Sequence, residues 1–166
     1  MRGLQYLLLM MVSLFVSWTC SPRPYNPIVV RPATCSDNIQ FASSPTLGHV
    51  LEFADRMHKP VFIDFYSPWV ATCTRMEEQV FTQDALAHYF NTHFINYKVN
   101  VGGDPSEQQL ADMYGVTHFP TMLFVDGKGK VMLRHEGPAT ASQLLEMGSF
   151  LHQSIKTDET VSLGTE

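Results

Sequence analysis

The apolar and polar positions divide the chain into an apolar start, an aperiodic leader, a strongly patterned middle and a polar end. Residues 4–16 are apolar but for Gln5 and Ser13, and five of the ten prolines lie at 22–45. Each X-Pro step disfavours helix, so this second stretch is expected to be extended or irregular. From Ser44 the pattern becomes regular. Ser44-Pro45 offers an N-cap and a first-turn proline, and Leu47, Val50, Leu51, Ala54 and Met57 follow at helical spacing. Residues 61–66 form a nearly continuous apolar run behind Pro60, which predicts a strand buried on both faces. Met76 and Val80 are spaced for a helix beginning near Val70, and Thr82 is placed to cap another with Leu86, Tyr89 and Phe90 inward. A strand is predicted at 94–101 and a helix at 107–114, closed by Gly115. A hairpin follows, with strands at 121–125 and 131–135 around Asp126-Gly127-Lys128-Gly129, and then an amphipathic helix at 141–155. The order α, β, α, α, β, α, β, β, α implies an α/β domain: a mixed central sheet with helices on both faces, ending in a β-hairpin and a C-terminal helix. The folded unit is expected at 44–155, with a polar, frayed tail at 156–166.

Composition narrows this reading. A chain of 166 residues suits one domain with short extensions, and 45% apolar against 16% charged residues excludes a disordered chain. The net charge is −5 and no Lys/Arg cluster exceeds a pair, so nucleic-acid binding has no electrostatic footprint. The three cysteines are Cys20, Cys35 and Cys73. They are too few for a disulfide scaffold, and no C-x-x-C pair exists to hold structural zinc. The seven histidines show no H-E-x-x-H spacing, so no metal or other cofactor is expected.

The start of the chain has the pattern of an address. Arg2, the apolar core and the small residues Ser17 and Thr19 point to an export signal at 1–19, with a periplasmic or cell-envelope destination. The core is too short to span ~30 Å of hydrocarbon, although an uncleaved anchor helix is the other reading. Cys20 follows directly. The segment resembles a bacterial lipoprotein signal, which implies Cys20 as the mature start, its lipidation site and a membrane tether. Trp18 and Ser17 depart from the residues such signals prefer. Residues 20–43 then form a proline-rich spacer.

The element order, with Trp69-Val70-Ala71-Thr72-Cys73 after the first strand, resembles the thioredoxin family. Asp64 stands where thioredoxins place a buried carboxylate. Gly115-Val116-Thr117-His118-Phe119-Pro120-Thr121 is similar to the family's cis-proline loop, which makes Pro120 the expected cis residue. Lys59-Pro60-Val61, the stretch at 76–81 and Asn100-Val101 look closest to the C-terminal domain of DsbD-type thiol:disulfide interchange proteins. The resemblance covers about 45–151. It implies the thioredoxin fold, a role in thiol-disulfide exchange, and exported protein clients or a membrane redox partner.

The departure lies in the motif. The family's pattern is Trp-Cys-x-x-Cys, and Val70 occupies the first cysteine position. Valine has no nucleophile, so a dithiol–disulfide cycle within this motif is not expected. Cys73 with Asp64 as proton acceptor leaves single-thiol exchange; an inert, packed Cys73 is the alternative. Asp64, in a buried strand, is expected to be neutral or bound to Lys98 or water. Cys35 in the leader is a candidate thiol partner for Cys73, or a solvent thiol, or an intermolecular bridge. The family's client face would comprise Trp69, Val70, His118, Phe119 and Pro120. Two function classes follow: single-thiol exchange, or a redox-silent module that binds a client segment on that face.

Overall fold

The computed structural model describes residues 38–44 and 46–163, with side chains through Thr157. Residues 1–19, expected to be an export signal, and Cys20 and Cys35 lie outside the described residues. The elements are α1 (Leu47–Arg56), β1 (Val61–Tyr66), α2 (Ala71–Arg75) with a π-helical continuation (Met76–Val80), α3 (Asp84–His93), β2 (Ile95–Asn100), α4 (Pro105–Met113), β3 (Thr121–Val125), β4 (Val131–Glu136) and α5 (Ala141–Leu163). The strands lie in the order β2-β1-β3-β4. β1 runs parallel to β2 and antiparallel to β3, and β3 and β4 form the hairpin.

Strand alternation sends Val61, Ile63 and Phe65 to one face of the sheet and Phe62 and Asp64 to the other. The first face packs against Leu47, Val50 and Ala54 of α1 and Ala111 of α4. On the second face Phe62 meets Phe90 of α3 at 4.9 Å and Phe124 at 5.2 Å between ring centres, and Met76, Phe81 and Leu144 complete the layer. Each such side chain contributes about 1.5–3 kcal/mol on burial. This is the mixed sheet that the pattern predicts and the thioredoxin fold that the resemblance implies.

The element boundaries differ where polar chemistry decides them. Thr46, not Ser44, caps α1, its hydroxyl accepting from the His49 N–H, while Ser44 Oγ accepts from the Thr46 N–H. Met57 falls past the last turn and is 49% exposed. Gln83 takes the cap position of α3, because the Thr82 hydroxyl donates back to the Glu78 carbonyl at 3.0 Å. α4 starts earlier than its apolar stripe suggests, since Asp104 accepts from the Ser106 N–H at 2.8 Å and Pro105 opens the first turn. The helix from Val70 loosens after Arg75: the Phe81 N–H donates to the Met76 carbonyl, five residues back, at 2.9 Å. That wider turn lets Met76 and Phe81 both enter the core, which α-spacing would not. α5 continues to Leu163, so 156–163 are helical rather than a frayed tail.

The domain also begins before Ser44. Ile39 is buried, its N–H donating to the Phe81 carbonyl at 2.9 Å. Phe41 bridges to Asn96 in parallel, and the Ala42 N–H reaches the Asn96 carbonyl at 2.7 Å. The Asn91 and Asn96 side chains tie down the Gln40 backbone, at 2.8 Å and 3.1 Å. The end of the expected spacer is thus part of the fold, laid along the free edge of β2.

Candidate functional site

At the C-terminal end of β1 the chain turns through Ser67-Pro68-Trp69 into α2. The Val70 N–H donates to the Ser67 carbonyl at 3.1 Å and the Cys73 N–H to the Val70 carbonyl at 2.9 Å. Val70 is the N-cap of α2, in an extended conformation, and its side chain makes no capping bond. Trp69 is 80% exposed, with Gly102 (φ +98) passing beside its indole. Cys73 is a free thiol, only 2% exposed.

Asp64 lies under this turn. It is 2% exposed, and its Oδ1 has no hydrogen-bond partner among the described residues. Burial pushes its carboxyl up to about 7, against the opposing pull of Lys98 and with a further push from Glu77. Burial also raises the Cys73 thiol; a backbone hydrogen bond from Ser67 works the other way, and the Asp64 and Glu77 charges add to the rise. Lys98 is paired with Glu77 rather than with Asp64. Of the states expected for Asp64, the bond to Lys98 does not form.

The second loop comes from the other side. Thr121, first residue of β3, pairs with Phe65, so the loop before it lies at the same sheet end as Trp69 and Val70. The Phe119–Pro120 peptide is cis. The loop is braced: Thr121 Oγ1 donates to the His118 carbonyl at 2.8 Å, and the Gly137 N–H to the Pro120 carbonyl at 2.8 Å. Arg134 forks onto the Tyr114 and Gly115 carbonyls at 2.8 Å each. His118 is exposed, its Nδ1 2.9 Å from the Thr117 hydroxyl and 4.0 Å from Glu136. Phe119 is half-buried against the α1/α4 core, and Pro120 is buried. The exposed part of the proposed client face is therefore Trp69 and His118, with Val70 half-exposed; Phe119 contributes less than its residue type suggested.

Sequence reasoning missed Glu77, Tyr66 and Phe41 beside Lys98. Glu77 stands four residues after Cys73, a spacing that puts both on one helix face and could have drawn attention to it. Among the described residues no group of three His, Cys, Asp or Glu side chains is placed to hold a metal, and no helix is long and apolar enough to cross a membrane.

A mixed sheet, a helix opening beside an exposed tryptophan, a buried carboxyl beneath it and a proline loop alongside define a class, and the comparisons agree. The family model described as a thioredoxin-like domain matches residues 47–152, and the chain belongs to that family. It is 29% identical over 106 residues to the disulfide bond reductase DsbH of Chlamydia pneumoniae, an alignment covering 58% of this chain and 62% of that protein. It is 29% identical over 73 residues to the thiol:disulfide interchange protein DsbD of Photorhabdus laumondii, covering 44% of this chain and 13% of that one. The chain thus spans less than two thirds of these relatives' length. Among solved structures, a DsbH oxidoreductase superposes with a TM-score of 0.59 at 26% identity, covering 72% of this chain and 88% of that chain.

Proposed function

We propose that this chain is an exported thiol-disulfide exchange protein that works through one motif thiol, Cys73, with Asp64 as its proton acceptor. The observation that carries the reading is Asp64: a buried carboxyl, with no partner at Oδ1 among the described residues, raised to about 7, close enough for its charge to raise the Cys73 thiol. Above that pH the carboxylate can take the Cys73 proton. The thiolate then attacks a disulfide R–S–S–R′; a Cys73–S–S–R bond forms, the R–S–S–R′ bond breaks, and R′S⁻ leaves to take up a proton. A second thiol, from a client, a redox partner or Cys35, attacks the mixed disulfide and releases Cys73. Because Cys73 is buried and its thiol raised, the exchange is slow and favours extended or small disulfides over folded surfaces. Export rests on residues 1–19 and a tether on Cys20.

The test is mixed-disulfide formation with a small aromatic disulfide, followed by mass spectrometry of the full chain. Wild type is expected to gain one adduct at Cys73, faster above pH 7, and Cys73→Ser to gain none there. Absence of any Cys73 adduct under native conditions rejects the exchange reading. A second reading is favoured by the 80% exposure of Trp69: a redox-silent module holding an extended client segment against Trp69, Val70 and the Pro120 loop. Undiminished client binding in Cys73→Ser, lost in Trp69→Ala, supports it.

A further inference from the structure

Lys98 sits where three parts of the fold meet. Its ammonium pairs with Glu77 on the π-helical turn, and stands 4.5 Å from the centre of the Tyr66 ring and 4.9 Å from that of Phe41. Its direct partner in the β1–β2 register is Asp64. Side chains paired in this way share one face of the sheet, so Lys98 is the nearest strand cation to a buried carboxyl. A buried carboxylate ordinarily gains its counter-charge from such a neighbour. Here Asp64 Oδ1 is unpartnered among the described residues, and the cation is committed elsewhere.

The competition has a physical reason. The Glu77 side chain is 40% exposed and that of Lys98 22%, so their pair keeps water around both charges. Pairing with Asp64 would draw the ammonium into the core, at the cost of its desolvation. The two rings add cation–π attraction at the outer position. The groups around Asp64 are Lys98 from β2, Glu77 from the π turn, Cys73 from α2, Tyr66 two residues on in β1, and the apolar Met122 from β3.

We propose that Glu77 is a positioning residue: it holds the Lys98 ammonium in the slot between Tyr66 and Phe41, away from Asp64, and so keeps the buried carboxyl unpaired and available to the Cys73 proton. The use of that proton rests on the exchange reading above; the positioning does not.

A double-mutant cycle of Glu77→Gln and Lys98→Gln in the full chain tests it. The readouts are the carboxyl ¹³C titration of Asp64, assigned with Asp64→Asn, and the pH profile of Cys73 alkylation. Glu77→Gln is expected to lower the Asp64 midpoint by about one pH unit or more, because the freed ammonium approaches it. In the Lys98→Gln background the same change is expected to shift it by less than roughly half as much, since only the charge of Glu77 itself is then lost. Equal shifts in the two backgrounds, or no shift in either, overturn the positioning role. Cys73 adduct formation is scored separately. Adducts without the cycle's signature leave exchange standing and remove Glu77's role; the signature without adducts keeps the role and removes exchange.

Discussion

Val70 and Cys73 are one helical turn apart at the start of α2, joined by the Cys73 N–H to Val70 carbonyl bond. A thiol at position 70 would sit at the helix N-terminus, half-exposed, where unpaired N–H groups favour a thiolate. Val70→Cys is therefore expected to form a 70–73 disulfide under air, seen as a 2-Da mass loss on non-reduced peptide mapping. Asp64 makes a second prediction at this scale. Its folded carboxyl is raised from 3.8 to about 7, so folding favours its protonated form. Stability from this group is full below pH 3.8 and is lost as pH rises to about 7. Asp64→Asn is expected to remove that loss and raise Tm at pH 8 by about 5 °C, measured by calorimetry. Asp64 is legible in the sequence, since an acid inside an apolar strand must be special. The Glu77–Lys98 pair is not, because it depends on the β1–β2 register and on a π turn that apolar spacing does not encode.

α3 and α5 pack through small and aromatic residues. A Cβ added at Gly148 would meet Tyr89 at 3.2 Å and Phe94 at 3.3 Å, so Gly148→Ala is expected to destabilise the fold by about 1–2 kcal/mol in urea melts. Nearer the end of α3, the His93 ring lies 4.5 Å from Tyr89 and 4.5 Å from His152 of α5. Burial first, then the charges of His152, Lys59, Lys156 and His88, hold His93 below its ordinary 6.5. The unfolded chain binds this proton more readily, so stability falls as pH drops below 6.5. His152→Gln is expected to flatten that fall in thermal melts between pH 7 and 5. The elements themselves follow from periodicity. Their ends do not: Thr46 and Asp104 cap helices through polar bonds, and the Thr82 hydroxyl turns back to Glu78, with partners fixed only once the chain folds.

At the scale of the whole molecule, residues 38–43 do more than connect. Ile39 fills the core behind Phe81, and Phe41 meets Phe81 at 5.8 Å between ring centres. A chain beginning at Ser44 is expected to lose about 3 kcal/mol relative to one beginning at Asn38, read from urea unfolding. The proline-rich composition at 22–45 conceals this, because one bridge and a few side-chain bonds leave no periodic trace.

The direction of that segment carries a further meaning. It runs parallel to β2, upward from Asn38 beside Phe81 and Asn91, toward the end of the sheet where β1 gives way to Trp69. The described domain thus begins at one pole of the sheet and carries Trp69 and the Pro120 loop at the other.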